Sequence, residues 1–227
     1  MKLNKFSPIY AANHFYFFDK ILLKKRLELV NLINEFFKNI NMYDVLDIGA
    51  TNDKENSSSN FIIKNLTNFK IYKSISDQKI NLDLFNKSLN KSIINDFTKN
   101  EIEQFSSDLV ISNATIEHVG NYHNQIKMVE NVIKLSKKYF VIITPNRHHP
   151  IELHTKLPLL HWFPKKIHRL ILSILGFKDL SKEENLNLLS KKDLISIMNK
   201  LNQKNFIIKH IKFIFFKSNF ILIGKKY

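Results

Sequence analysis

The stretch Tyr43-Asp-Val-Leu-Asp-Ile-Gly-Ala-Thr-Asn-Asp53 constrains the fold more than any other part of the chain. Val45, Leu46 and Ile48 form a short apolar run. Asp47 interrupts the run near its carboxyl end, and Gly49 closes it. A carboxylate among strand residues is costly to bury unless something pairs with it. A glycine directly after a strand lets the backbone turn tightly or approach a ligand closely. Together they predict a buried strand followed by a ligand-binding turn, with a nucleotide-type ligand at the carboxyl end of a strand in an open α/β sheet.

The rest of the chain alternates strand and helix patterns. Residues 19–39 carry Ile21, Leu22, Leu29, Ile33, Phe36 and Phe37 among charges, which predicts an amphipathic helix broken near its middle. A short helix is expected over 61–66 and strands over 69–75 and 91–95, with 77–90 ambiguous. Residues 105–112 and 139–143 read as buried strands, the second apolar throughout. Helices are expected over 122–138, over 165–175 with Gly176 as its C-cap, and from the Ser190-Lys-Lys-Asp193 capping box to Leu201. Two final strands, 206–216 and 220–224, are separated by Lys217-Ser-Asn219, which predicts an antiparallel hairpin at the sheet edge. Alternation of this kind predicts a mostly parallel sheet with helices on both faces.

Composition narrows the function classes. The chain has no cysteine among 227 residues, which excludes disulfides and thiolate metal sites. No apolar run approaches the roughly 20 residues that span a bilayer, and the first residues lack the apolar core of a signal peptide, so a cytoplasmic protein is expected. The net charge of +15 points to an acidic partner or to drift toward lysine. The lysines are spread rather than gathered into a stripe, so no specific nucleic acid is expected.

Three runs, in order, resemble one family. They are Val45-Leu-Asp-Ile-Gly49, Asp108-Leu-Val-Ile-Ser-Asn-Ala-Thr-Ile-Glu-His-Val-Gly120 and Tyr139-Phe-Val-Ile-Ile-Thr-Pro-Asn-Arg147. Their order and spacing resemble class I S-adenosylmethionine-dependent methyltransferases of the small-molecule, "type 11" sort. The later runs Pro150-Ile-Glu-Leu-His-Thr-Lys-Leu-Pro-Leu-Leu-His-Trp-Phe-Pro164 and Glu184-Asn-Leu-Asn-Leu-Leu-Ser190 look like a bacterial subgroup of them.

The resemblance implies a Rossmann-like, mostly parallel seven-stranded α/β sheet with an antiparallel last strand. It implies one domain over 1–227, with an N-terminal helical extension (about 1–40) and a lid-like insertion (about 145–189). It implies S-adenosylmethionine as cofactor, methyl transfer to a small-molecule acceptor, and weakly a cell-surface or lipid-linked glycan precursor as that acceptor. The cofactor would lie against Asp47, Gly49 and Ala50, with Asp77 on the ribose, Asp96 and Phe97 at the adenine, and Ser112 and Asn113 at the end of the fourth strand. The family's later loop glycines are replaced here by Thr51 and Asp53. A non-catalytic scaffold with this fold and a nucleic-acid methyltransferase or binder are the alternatives.

Each of these residues has a plainer reading. Asp47 could accept backbone N–H bonds in its turn, and Asp77 and Asp96 could be turn acids. Glu117 and His118 follow the fourth strand at the mouth of the expected pocket. His118 is the candidate catalytic base or acceptor-orienting group, with Glu117 beside it; the alternative is a histidine that satisfies loop carbonyls. Arg147 and His154 are candidate acceptor-binding residues. His148, His149, His154, His161 and His168 crowd one segment with Glu152. Their spacing matches no metal motif, so an ordered lid is expected and no metal is assigned. The helix over 165–175 has a basic and an apolar side and is a candidate for peripheral membrane contact.

Overall fold

In the computed structural model of the chain, alternate residues of each central strand feed two different hydrophobic layers. Leu46, Ile48, Val110, Phe140, Ile142 and Leu222 pack on one side, and Val45, Leu109, Ile111, Val141, Ile143 and Ile221 on the other. This period of two leaves no polar face on the central strands, which is why they read as continuous apolar runs. The structure describes residues 16–213 and 215–226, with only the backbone described for 16–20.

The elements run α1 (Tyr16–Phe37), β1 (Asp44–Ile48), α2 (Phe61–Lys64), β2 (Ile71–Ser76), β3 (Lys87–Asn90), α3 (Lys99–Phe105) and β4 (Ser107–Asn113). They continue with α4 (Tyr122–Leu135), β5 (Ser136–Pro145), α5 (Lys165–Ile174), α6 (Lys191–Lys200), β6 (Phe206–Phe213) and β7 (Phe216–Lys225). The sheet has seven strands in the order β3-β2-β1-β4-β5-β7-β6. Pairs within β3-β2-β1-β4-β5 are parallel, and β7 runs antiparallel to both β5 and β6. The expected sheet, with its antiparallel last strand, is therefore present.

Helices cover both faces. Met128, Val129 and Val132 of α4 and Leu194, Ile197 and Met198 of α6 pack on the first layer. Leu29, Val30, Ile33 and Phe37 of α1 pack on the second with Ile62 and Ile63 of α2. The helix α1 is unbroken, and its last three turns are core; the first part of the expected extension lies outside the described residues. On β7, Gly224 faces the ring of Phe140 so closely that a Cβ there would lie 2.0 Å from it. Only glycine lets this strand close on β5 over a buried phenylalanine.

Several boundaries differ from the sequence reading. The third strand is Lys87–Asn90, not 91–95. It is a mostly exposed edge strand, so it carries no apolar run to mark it. The helix α3 was not anticipated, although Thr98 and Glu101 form a capping box at its start. The final hairpin reverses between paired Phe213 and Phe216, with Phe215 at φ 66°, and not at Lys217-Ser-Asn219. Those polar residues belong to β7, where the register slips by one residue and Ser218 is buried. The capping box of Ser190 and Asp193 and the Gly176 cap are both present. Gly176, at φ +88°, lets its N–H reach Ser173 O and lets Phe177 N–H reach Leu172 O.

Between β5 and α6 the chain makes a long excursion. It includes α5 and carries a small apolar cluster of its own: Leu172, Leu180, Leu186 and Leu188, with Leu157 and Phe177 against them. This excursion occupies the expected lid segment and places His154 and Glu184 beside the carboxyl end of the sheet.

Candidate functional site

The order of the strands reverses direction between β1 and β4, and a crevice opens there at the carboxyl ends. It holds a cavity of about 690 Å³, within the range of small-molecule sites. Its wall takes Gly49 just after β1, Asp77 just after β2, residues 92–94 beyond β3 and residues 113–115 at and after the end of β4. The floor is local geometry. Gly49 sits at φ +90°, and its Cα lies so near Thr115 that a Cβ would be 2.2 Å from the Thr115 hydroxyl. That hydroxyl donates to Ile48 O at 3.1 Å, so the segment after β4 is tied to the end of β1 beside the cavity. Ala114 adopts φ 53°, a left-handed conformation that costs a non-glycine residue roughly 1 kcal/mol. Such strain gathers where a loop is shaped for a ligand.

The loop after Gly49 forms without further glycines. Asn60 clamps Thr51 with two bonds, accepting from its N–H at 2.9 Å and donating to its carbonyl at 2.8 Å. The carboxylate of Asp53 accepts from the N–H groups of Glu55 and Asn56 and from the Ser59 hydroxyl. Side-chain bonds of this type turn a chain as glycine does. Asn60, at φ 55°, takes the left-handed position that a glycine would take. Thr51 and Asp53 stand along the cavity wall rather than across it.

Asp47 borders the cavity and is otherwise buried. Burial pushes its carboxyl up to about 7, and no cation among the described residues offsets the effect. A cationic group in the cavity would favour the ionised form of this carboxyl.

The opposite rim carries two histidines, with a buried glutamate behind them. A short 3₁₀ turn, Ile116–His118, carries Glu117 and His118. A buried amide network fixes the turn. Gln125 on α4 donates to Ile116 O and Asn187 O, and the N–H of Asn187 donates to Glu117 O. The Glu117 side chain is fully buried; Oε2 accepts from Thr144 at 3.0 Å and Oε1 has no hydrogen-bond partner. His118 donates from Nδ1 to Asn185 O at 2.6 Å. Burial lowers its pKa, and the neighbouring Glu117 only partly offsets this.

His154 reaches the same point from the excursion. Its Nδ1 donates to Glu152 at 2.6 Å and its Nε2 lies 4.0 Å from Glu117 Oε1. Burial alone would push Glu152 up, yet the His154 charge, its hydrogen bonds and Thr155 hold it at about 2. His154 is raised in turn: burial lowers it, but Glu152 outweighs that. The rings of His118 and His154 meet edge to face at 5.0 Å.

No protein-family model matches the chain, and no curated protein matches it. Solved structures do. The magnesium protoporphyrin IX methyltransferase of Synechocystis PCC 6803 superposes with a TM-score of 0.55 with S-adenosylmethionine bound, at 10% identity, over 96% of this chain and 88% of that one. With S-adenosylhomocysteine bound, the score is 0.56, at 10% identity over 96% and 91%. The methyltransferase domain of bacterial CtHen1-CN gives 0.53, at 10% identity, over 89% of this chain and 99% of that one. An O-methyltransferase family protein from Burkholderia thailandensis gives 0.52, at 10% identity, over 92% and 58%.

The fold is that of class I S-adenosylmethionine-dependent methyltransferases.

Within this methyltransferase fold, Asp47, Gly49, Ala50, Asp77 and Asn113 line the cavity, as do His118 and His154. Glu117 lies directly behind the two histidines. Four expected residues lie elsewhere. Asp96 points outward, with its side chain 92% exposed and paired to Lys127 at 2.9 Å. Phe97 is buried in the core beneath α4. The cavity wall after β3 is made instead by residues 92–94, because β3 ends earlier than its sequence suggests. Ser112 is fully buried and donates to Ile48 O, so it braces β1 rather than facing the cavity. Arg147 donates to the carbonyls of His161 and Phe163, a role inside the excursion. Thr115 and residues 92–94 were not singled out in the sequence; Thr115 lies within the Asn-Ala-Thr-Ile-Glu-His run that marked the site. Of the five histidines in 148–168, only His154 reaches the cavity; His149 and His161 are engaged with backbone carbonyls.

Proposed function

We propose that this chain transfers a methyl group from S-adenosylmethionine to a small-molecule acceptor. The observation that carries the reading is the cavity at the β1/β4 crossover, with the buried, uncompensated Asp47 on its wall. The cofactor's methionine portion bears an ammonium, and Asp47 and Gly49 match the family motif whose loop approaches that portion. Asp77, at the end of β2, is suited by position and exposure to the ribose hydroxyls, and residues 92–94 to the base. The bound sulfonium supplies an electrophilic methyl.

What remains for the protein is alignment and the fate of one proton. Because Asn185 holds the Nδ1 proton of His118, the Nε2 lone pair faces away from that carbonyl and is free to take a proton from the acceptor. Its lowered pKa keeps the ring neutral near pH 7. His154 is positioned to hold the acceptor at the same rim. An open cavity favours this reading over a scaffold with a closed one.

Asp47 gives the reading a pH signature. A ligand cation is best held by the ionised carboxylate, which is complete only above about 7. Affinity for S-adenosylhomocysteine is therefore expected to rise about tenfold per pH unit below that value and to level off above it. Asp47→Asn should bind weakly with a flat profile. Isothermal titration across the pH range checks this, and a flat wild-type profile would remove Asp47 from the cofactor's partners. In the free protein the sign is opposite: the raised pKa makes the fold lose stability as pH climbs from 3.8 to about 7.

The acceptor is proposed to be lipid-linked, in keeping with the glycan-precursor resemblance. Trp162, Phe163, Ile167, Leu170 and Ile174 are all exposed along the 3₁₀ turn before α5 and on α5 itself, Ile174 by 75%. An apolar row of this kind on a +15 chain suits an anionic membrane surface. No helix among the described residues is long and apolar enough to cross a membrane. The chain is expected to sediment with anionic phospholipid vesicles, and Leu170→Glu/Ile174→Glu to stay in the supernatant. Equal sedimentation of both would remove α5 as the contact.

A further inference from the structure

Glu117, His118 and His154 meet at the cavity rim in a way that acid–base chemistry alone does not require. Both histidines give their Nδ1 protons outward, His118 to the Asn185 carbonyl and His154 to the Glu152 carboxylate, at 2.6 Å each. The Nε2 of His118 is thereby left as a lone-pair donor, and the Nε2 of His154 becomes one when an arriving ion displaces its proton. Glu117 contributes Oε1, a fully buried carboxylate oxygen without a hydrogen-bond partner. The 4.0 Å between His154 Nε2 and Glu117 Oε1 is too long for a hydrogen bond. One ligating atom from each of the three residues lies within 4.8 Å of the others.

We infer that these three residues bind one divalent transition-metal ion. Two imidazoles and one carboxylate are a donor set for Zn²⁺ and for open-site ions such as Mn²⁺ and Fe²⁺. Bonds of about 2.1 Å would bring the ligating atoms to about 3.4 Å from one another, a contraction of about an ångström that ring and carboxyl rotation can supply. The outer shell is already built. A carboxylate behind one histidine and a backbone carbonyl behind the other fix ring orientation and tautomer, as they do around metal-bound histidines. Thr144 holds the second oxygen of Glu117. An ion here would replace the His154 proton as countercharge to the buried Glu117.

Three protein ligands leave positions open toward the cavity. On the methyl-transfer reading, on which this use of the site rests, an acceptor hydroxyl would occupy one of them with its pKa lowered, and its proton would pass to solvent water. His118 would then act through its lone pair on the ion rather than on the acceptor proton. The ion site itself does not depend on that reading.

The test is titration of the EDTA-treated, desalted chain with Zn²⁺ by calorimetry and with Mn²⁺ by electron paramagnetic resonance. One ion per chain is expected. Affinity should drop at least a hundredfold in His118→Ala and in His154→Ala, and about 10- to 100-fold in Glu152→Gln, which alters only the outer shell. Circular dichroism checks that each variant is folded. Visible bands of bound Co²⁺ report nitrogen and oxygen ligation on the unaltered protein, without reliance on any variant. Failure of the wild-type chain to bind any ion stoichiometrically, or unchanged binding in the folded His118→Ala/His154→Ala variant, overturns the inference. Binding of S-adenosylhomocysteine in EDTA separates the two readings. Cofactor binding without ion binding overturns the metal site alone, and ion binding without cofactor binding supports the site while sinking the methyl-transfer reading.

Discussion

Gly49→Ala is expected to lower stability by about 3 kcal/mol and to reduce cofactor affinity at least a hundredfold. Two costs add. An alanine at φ +90° is held in a conformation that L side chains rarely adopt, which costs about 1–2 kcal/mol. Its Cβ would also stand 2.2 Å from the Thr115 hydroxyl and 2.8 Å from the Thr115 methyl. Thr115 cannot simply swing away, because its hydroxyl ties β4 to Ile48 O. The displaced loop is the one that carries Ala50 and Thr51 along the cavity wall. Chemical denaturation and calorimetry measure the two effects. Thr115→Ala removes the nearest atoms and should restore about 1 kcal/mol in the double variant, leaving the conformational cost. Additive losses from the two substitutions would show that the contact is not the cause.

Glu152→Ala is expected to cost about 3 kcal/mol, for a different reason. The Glu152 carboxylate accepts from the N–H groups of His154 and Thr155 and from the His154 ring, and it is 3% exposed. Its removal strands buried donors and a charged imidazole. The same pair sets a pH dependence. Glu152 titrates near 4.5 in the unfolded chain and at about 2 in the fold, so its contribution is complete above 4.5 and fades as pH falls toward 2. His154 has the opposite sign. Its folded pKa is raised above 6.5, so its contribution is complete below 6.5 and is lost as pH rises through the raised value. The pair therefore stabilises the excursion most between about pH 4.5 and 6.5. Melting temperatures against pH should show this maximum in the wild type and not in Glu152→Ala. Identical profiles would contradict the ionic account of the pair.

The central strands were legible because both faces of each are buried, so β1, β4 and β5 announce themselves as apolar runs. The edges were not. Lys87-Ser-Leu-Asn90 forms β3 with hardly any burial, and its position sets residues 92–94, not Asp96, on the cavity wall. The polar Lys217-Ser-Asn219 looked like a turn because a bulge in β7 absorbs it, while the true reversal uses Phe215 with no turn residue. At the site, Asp47 and Gly49 were readable because strand, acid and glycine are adjacent. The convergence of His154 with Glu117 and His118 was not, since it depends on how the excursion folds back over β4. Five clustered histidines mark their own segment, whereas Glu117 and His118, which meet His154 at the cavity, come from another.

The account rests on the β1/β4 cavity being a cofactor site. Calorimetric titration of the wild-type chain at pH 8 with S-adenosylmethionine and S-adenosylhomocysteine tests this most directly. One molecule of each is expected to bind per chain, with dissociation constants on the order of micromolar, about −8 kcal/mol. Absence of saturable binding for both ligands at millimolar concentration, in a chain shown to be folded, would contradict it.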